Sequence, residues 1–208
     1  MNPGREPVDR FVAEILAAGM IPKGARILEL GTGKCYDRWM LFCDDYEYIP
    51  TDKNPEREGV LQLDAENIPE GQFTDMDVIF ATELLEHVEF PLKALESCHS
   101  HLRPGGLVVV TLPFMYRIHG DDVIKDYQRL TPDGLASLFR RAGFARYFAE
   151  ARYKGWEKAN EPSYIVGWAQ KGERVIAWHV DLPENWKDAQ LTAEKRWKER
   201  NPDEELIW

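Results

Sequence analysis

A run of strand-forming residues that stops at two closely spaced glycines constrains this chain more than any other feature: Arg26-Ile-Leu-Glu-Leu-Gly-Thr-Gly-Lys34. Ile27 to Leu30 reads as a buried strand, the Gly-Thr-Gly turn ends it, and a helical pattern over 34–43 begins at once. Such a turn brings backbone close to a ligand with no Cβ in the way, beside the amide-rich start of a helix. Asp52 lies 19 residues past Gly33, just after the next strand-like run Tyr46-Glu-Tyr-Ile-Pro50. A carboxylate there is placed to accept hydrogen bonds from the two hydroxyls of a ribose. Together these residues predict an adenosine-type cofactor. Two plainer readings stay open: an ordinary strand-to-helix turn for the glycines, and a helix N-cap ahead of Asn54-Pro55 for Asp52.

The details of the turn bear on which cofactor. A dinucleotide fingerprint carries a third glycine, but Tyr36 stands at that position. Glu29 sits two residues before the first glycine, where its charge repels a pyrophosphate and suits a ligand with an ammonium and a sulfonium. Further blocks follow in order: Leu63-Asp-Ala-Glu-Asn-Ile-Pro69, Met76-Asp-Val-Ile-Phe-Ala-Thr-Glu-Leu-Leu-Glu-His87, Leu102-Arg-Pro-Gly-Gly106, and Leu130-Thr-Pro-Asp-Gly-Leu135 with Ala142-Gly-Phe144. In these residues the chain, from about 24 to 145, resembles the class I S-adenosylmethionine-dependent methyltransferases. The resemblance implies an α/β, Rossmann-like fold with a seven-stranded, mostly parallel sheet and helices on both faces. It implies S-adenosylmethionine as cofactor and S-adenosylhomocysteine as product. By the same resemblance Gly31 and Gly33 pass the methionine half, Glu29 orients its ammonium, Asp64 and Ala65 recognise adenine, and Thr82 contacts the methionine portion.

Alternation along the chain agrees with a parallel sheet. Strands are expected near 26–30, 46–50, 59–63, 77–81 and 106–112, with helices near 34–43 and 91–102. An amphipathic helix carrying Val8, Phe11, Val12, Ile15 and Leu16 precedes them. Thr131 reads as the N-cap and Pro132 as the first residue of a later helix. Two late strands are expected in 144–153 and 163–170. We expect one catalytic domain over 1–171. A C-terminal extension over 172–208, with Trp178, Trp186, Trp197 and a terminal Leu206-Ile-Trp208, is expected to dock on that domain or on a second copy, giving a possible homo-oligomer.

Composition narrows the partners. The 208 residues carry 26 basic and 36 acidic side chains, a net charge of −10, which argues against a nucleic-acid substrate. The basic group Lys195-Arg-Trp-Lys-Glu-Arg200 reads as a solvated helix face. Cys35, Cys43 and Cys98 lack metal-ligand spacing, and Asp121 and Asp122 do not make the Asp, Asp, Asn set of metal-dependent relatives, so no metal is expected. Neither a signal peptide nor a spanning apolar run is evident, and a cytoplasmic protein with no membrane partner is expected.

Catalytic candidates are two histidines. His87 closes the Glu-x-x-Glu-His block after the fourth strand, where it either faces the methyl group as a base or caps the local turn. His119 lies in the 17-residue connection from Pro113 to Arg129, long enough to be functional, and its imidazole suits general-base work near pH 7. That connection looks like the substrate segment of small-molecule methyltransferases, with Tyr116, Tyr127 and Arg129 as candidate substrate contacts. Asp126 and Arg129 alternatively form an ion pair that orders the loop. The expected acceptor is small and polar, methylated at oxygen. A dinucleotide-binding domain and a non-catalytic adenosylmethionine-binding protein are the rival readings.

Overall fold

The computed structural model describes residues 6–33, 45–153 and 162–172. The expected helix over 34–43, with Cys35, Tyr36 and Cys43, lies outside the described residues. So does the C-terminal extension beyond Gly172, with its three tryptophans and its basic group.

Seven strands form one sheet: β1 (Arg26–Leu30), β2 (Glu47–Asp52), β3 (Leu61–Gln62), β4 (Met76–Thr82), β5 (Leu102–Pro113), β6 (Arg146–Arg152) and β7 (Tyr164–Gln170). Their order is β3-β2-β1-β4-β5-β7-β6. The first five in that order are parallel, and β7 runs antiparallel between β5 and β6. Side chains of a strand alternate between faces, so the sheet buries two apolar layers. Ile27, Val78, Phe80, Leu107, Val109 and Val166 lie under α1 (Glu6–Ala17), which contributes Val8, Phe11, Val12 and Ile15. Leu28, Leu30, Ile79, Ala81, Val108 and Val110 lie in the other layer with α2 (Pro91–His101) and α3 (Pro132–Arg141). Helices therefore cover both faces, as the resemblance to the class I methyltransferases implies. Glu14 of α1 fixes that helix to the sheet by a two-pronged contact with Arg152 of β6, at 3.1 and 2.6 Å.

Several element ends differ from expectation. β5 begins at Leu102, not 106, because Leu102 pairs with Met76 before the register shifts and Val78 pairs with Leu107. The Arg103–Gly106 stretch bulges between those pairs. β3 shrinks to two exposed residues at the sheet edge. Thr131 caps α3 as expected: its Oγ1 accepts from the Gly134 N–H at 3.1 Å, with Pro132 at the first helical position. Among the described residues no helix is long and apolar enough to cross a membrane.

β1 and β4 are neighbours although two strands separate them in sequence, so the strand order reverses there. The carboxyl ends of β1 and β4 consequently open a crevice, the place where open α/β sheets bind ligands.

Candidate functional site

Gly31 leaves β1 into this crevice with φ +69°, and a Cβ on it would lie 2.7 Å from Leu84 Cδ1. Only glycine allows that approach without displacing Leu84. The turn is fastened to the end of β2. Thr32 donates its N–H and its hydroxyl to the Thr51 carbonyl at 3.0 and 2.9 Å, and the Gly33 N–H donates to Asp52 Oδ2 at 2.9 Å. Asp52 Oδ1 accepts from the Asn54 N–H at 2.8 Å. A carboxylate has about four lone-pair sites, so both Asp52 oxygens retain capacity toward the cleft. On the facing wall, Asp64 meets Lys53 Nζ at 2.9 Å through Oδ2 and accepts the Glu66 N–H at 3.0 Å through Oδ1. Burial works to raise the Asp64 carboxyl. The hydrogen bonds from Lys53 and Glu66 outweigh it and hold the group below its usual range.

The cleft between these walls measures about 340 Å³, within the size class of small-molecule sites. Its lining includes Asp52, Asp64, Glu66, Glu83 and Glu89 against Lys53 and Lys125. Among the described residues that excess of carboxylates favours a cationic ligand and opposes a pyrophosphate.

Beyond Thr82 the chain turns through Glu83, at φ +51°, into a single 3₁₀ turn, Leu85–His87, that buries Glu86 completely. The long connection after β5 folds back onto this turn. The Tyr127 N–H donates to the Glu86 carbonyl at 2.8 Å, and Gln128 Nε2 donates to the Leu85 carbonyl at 2.8 Å. His87 Nδ1 lies 2.6 Å from the Lys125 carbonyl. A carbonyl only accepts, so Nδ1 carries the proton and Nε2 bears the lone pair. His119 Nδ1 faces two acceptors, Asp126 Oδ2 at 3.2 Å and the Arg117 carbonyl at 3.3 Å, which fixes the same tautomer. The two imidazoles meet edge to face with centroids 4.9 Å apart, and Tyr116 packs edge to face on His119 at 5.3 Å.

Three neighbouring groups set the charge here. The Arg129 guanidinium, hydrogen-bonded to Asp126, holds that carboxyl well below the usual carboxylate range. Burial lowers the His87 imidazole, keeping it neutral near pH 7. Burial, with Glu83 close by, pushes the Glu86 carboxyl well above its ordinary value. Neither Glu86 oxygen has a hydrogen-bond partner among the described residues.

Of the residues expected to hold the cofactor, Gly31, Gly33, Asp52, Asp64 and Ala65 line one cleft. Glu29 and Thr82 are not on its wall. Glu29 is buried and accepts a hydrogen bond from the Tyr48 hydroxyl, and Thr82 is buried at the end of β4, paired in register with Thr111. His87 and Tyr127 also line the cleft, Tyr127 within electrostatic reach of Lys53, with His119 against His87 and Tyr116 half-exposed beside His119. Arg129 directs both terminal nitrogens to Asp126, Nη2 at 2.8 Å, which is the loop-ordering ion pair. Those contacts take the fork that an anionic substrate would need. Sequence reasoning missed Glu86, although the Glu-x-x-Glu-His block displays it. It also missed Lys53, for which the sequence carries no signal.

The model of a methyltransferase domain matches residues 4–158, about three-quarters of the chain. No curated protein sequence matches. Among solved structures, a SAM-dependent methyltransferase from Archaeoglobus fulgidus is similar with a TM-score of 0.61 at 19% identity, over 80% of this chain and 94% of that one. The CurJ carbon methyltransferase is similar with a TM-score of 0.60 at 20% identity, over 79% of this chain, which spans only 54% of that one. A third is the 1,6-didemethyltoxoflavin-N1-methyltransferase of Burkholderia thailandensis, in complex with 1,6-didemethyltoxoflavin and S-adenosylhomocysteine. Its TM-score is 0.59 at 18% identity, over 81% of this chain and 80% of that one.

Proposed function

The chain belongs to the methyltransferase-domain family, and from that premise we propose that it transfers a methyl group from S-adenosylmethionine to an oxygen of a small polar acceptor, such as a sugar or a secondary metabolite. The observation that carries the reading is the pairing, in one cleft, of the Gly31–Gly33 turn with Asp52 at the end of the next strand. The methyl donor supplies a carbon activated by a positively charged sulfur. The residues present fit it: Asp52 retains lone pairs for ribose hydroxyls, the turn at Gly31 has no room for a Cβ, and the cleft is acidic. Asp64 and Ala65 would receive the adenine, Asp64 sharing its carboxylate with Lys53. Glu29 and Thr82, behind the turn, support it from within the core.

On the acceptor side His87, His119 and Tyr116 stand together, and the connection that carries two of them is fastened to the 3₁₀ turn through the Tyr127 N–H. The chain's task in an in-line displacement is to align the acceptor oxygen with the methyl carbon and exclude water. An acceptor hydroxyl must also lose its proton. His119 Nε2 bears a lone pair, and Asp126 stabilises the imidazolium that results, so we assign His119 as the base and His87 as its neighbour. Arg129 acts through Asp126.

The test is calorimetric titration with S-adenosylmethionine, S-adenosylhomocysteine and NAD in parallel. Micromolar binding of the first two and none of NAD is expected. Binding of NAD alone would overturn the reading.

A further inference from the structure

The surroundings of Glu86 do not complement its charge. Its carboxylate is fully buried, and neither oxygen has a hydrogen-bond donor among the described residues. Its Oε1 lies 3.7 Å from His87 Nε2, which is an acceptor in the tautomer that the Lys125 carbonyl imposes. His119 is fixed in the same tautomer by Asp126 and the Arg117 carbonyl. Ligand-capable atoms of Glu86, His87 and His119 therefore gather in one place, with no side chain among the described residues donating to the Glu86 oxygens. Glu83 and Asp126 add negative charge, and Arg129, already bonded to Asp126, is the cation set against them. Three acceptors around one point call for either a proton or a metal ion.

We propose that Glu86, His87 and His119 bind a divalent first-row transition ion. One ligand atom from each residue lies within 4.8 Å of the others. An ion held at about 2.1 Å from each atom needs ligands roughly 3.0–3.4 Å apart, so side-chain rotations of about an ångström close the set. Each imidazole gives its Nδ1 to a backbone carbonyl or a carboxylate, the contact that orients a metal-bound histidine and raises its basicity when Nε2 is the ligand atom. Two imidazoles and one carboxylate select zinc, cobalt, nickel or iron over magnesium and manganese, whose preference is for oxygen. Three protein ligands leave coordination positions open, and His87 and Glu83 form the cleft wall on that side. An acceptor with a hydroxyl or paired oxygens would ligate the ion there. This role rests on the assignment of that side to the acceptor, and with the ion bound His119 is a ligand, so the acceptor's proton passes to water instead. The metal site itself requires neither donor nor acceptor.

The experiment titrates the full chain, freed of metal by a chelator, with Co²⁺ alone and reads the visible absorption of the bound ion. We expect one equivalent of Co²⁺ per chain, displaced by Zn²⁺ and not by equimolar Mg²⁺. Glu86→Gln and His119→Ala each remove a direct ligand and should weaken binding by at least the roughly 10–100-fold that loss of a ligand's hydrogen-bond partner costs, while His99→Ala should not change it. Since Glu86 is buried, melting curves of the variants are recorded alongside. His119 is part-exposed, and His119→Ala decides the question if Glu86→Gln fails to fold. Absence of a Co²⁺ spectrum overturns the proposal, as does binding that is unchanged in His119→Ala, which means an adventitious ion only. S-adenosylhomocysteine titrated into the same metal-free protein separates the two claims. Binding of that ligand without any cobalt site leaves the donor reading standing and removes the metal; cobalt binding without it does the reverse.

Discussion

Asp52 has a structural and a binding task in the same carboxylate. It closes the glycine turn by accepting from the Gly33 N–H, and it caps its own strand end by accepting from the Asn54 N–H. Its remaining lone pairs are those a ribose would use. Asp52→Ala removes both tasks, and we expect S-adenosylhomocysteine affinity to fall by about 1–3 kcal/mol, the cost of losing one partner of a hydrogen bond. Calorimetry measures the loss, and unchanged affinity would remove Asp52 from the ribose site. The sequence made this residue legible because spacing fixes where a strand ends relative to the turn before it. It did not make Glu86 legible in the same way. A glutamate beside a histidine reads as surface, and only the fold of the 3₁₀ turn under the returning loop buries it.

At the scale of elements, the connection after β5 owes its shape to one position. Gly120 has φ +150°, and a Cβ there would lie 2.6 Å from the Ile124 carbonyl. Asp121 then folds the next residues into a tight turn, its Oδ1 accepting from Val123 and Ile124 at 2.8 and 2.7 Å. Gly120→Ala should therefore displace His119 and lower turnover, while S-adenosylhomocysteine affinity stays within twofold. Loss of both would show that the loop also builds the donor site. Helix α2 supplies a separate test. His99 packs edge to face on Phe144 at 5.0 Å, and burial, with Lys171 close by, lowers its imidazole below the ordinary value. A folded-state value below the unfolded one means stability that is complete above about pH 6.5 and is lost as pH falls through the folded value. His99→Gln should reduce the drop in melting temperature between pH 7 and pH 5, and an identical drop would remove His99 from the acid transition. Element identities were readable from apolar periodicity and Thr131 from cap chemistry. The early start of β5 was not, since Leu102 becomes a strand residue only by pairing with Met76.

For the whole molecule, the consequence of the fold lies in how the two apolar layers share one sheet. Alternate residues of β1, β4 and β5 belong to opposite layers: Ile27, Phe80 and Val109 to the α1 side, Leu28, Ile79 and Val108 to the α2 and α3 side. Neither layer can lose its packing without exposing strands whose other face the second layer needs. Helix α1 is thus part of the domain and not an appendage, a conclusion that the Glu14–Arg152 contact reinforces. Phe11 in one layer and Phe139 in the other are both fully buried. Replacing either by alanine leaves a cavity, with an expected cost of about 3–5 kcal/mol. In guanidinium unfolding followed by fluorescence and by circular dichroism, both variants should shift the midpoint without changing the slope, and the two probes should coincide. If Phe11→Ala instead produced an early, separate transition, α1 would be detaching by itself, and the sheet with α2 and α3 alone would be the cooperative unit. The shared strands predict the single transition: parallel strands buried on both faces have no half that is stable without the other.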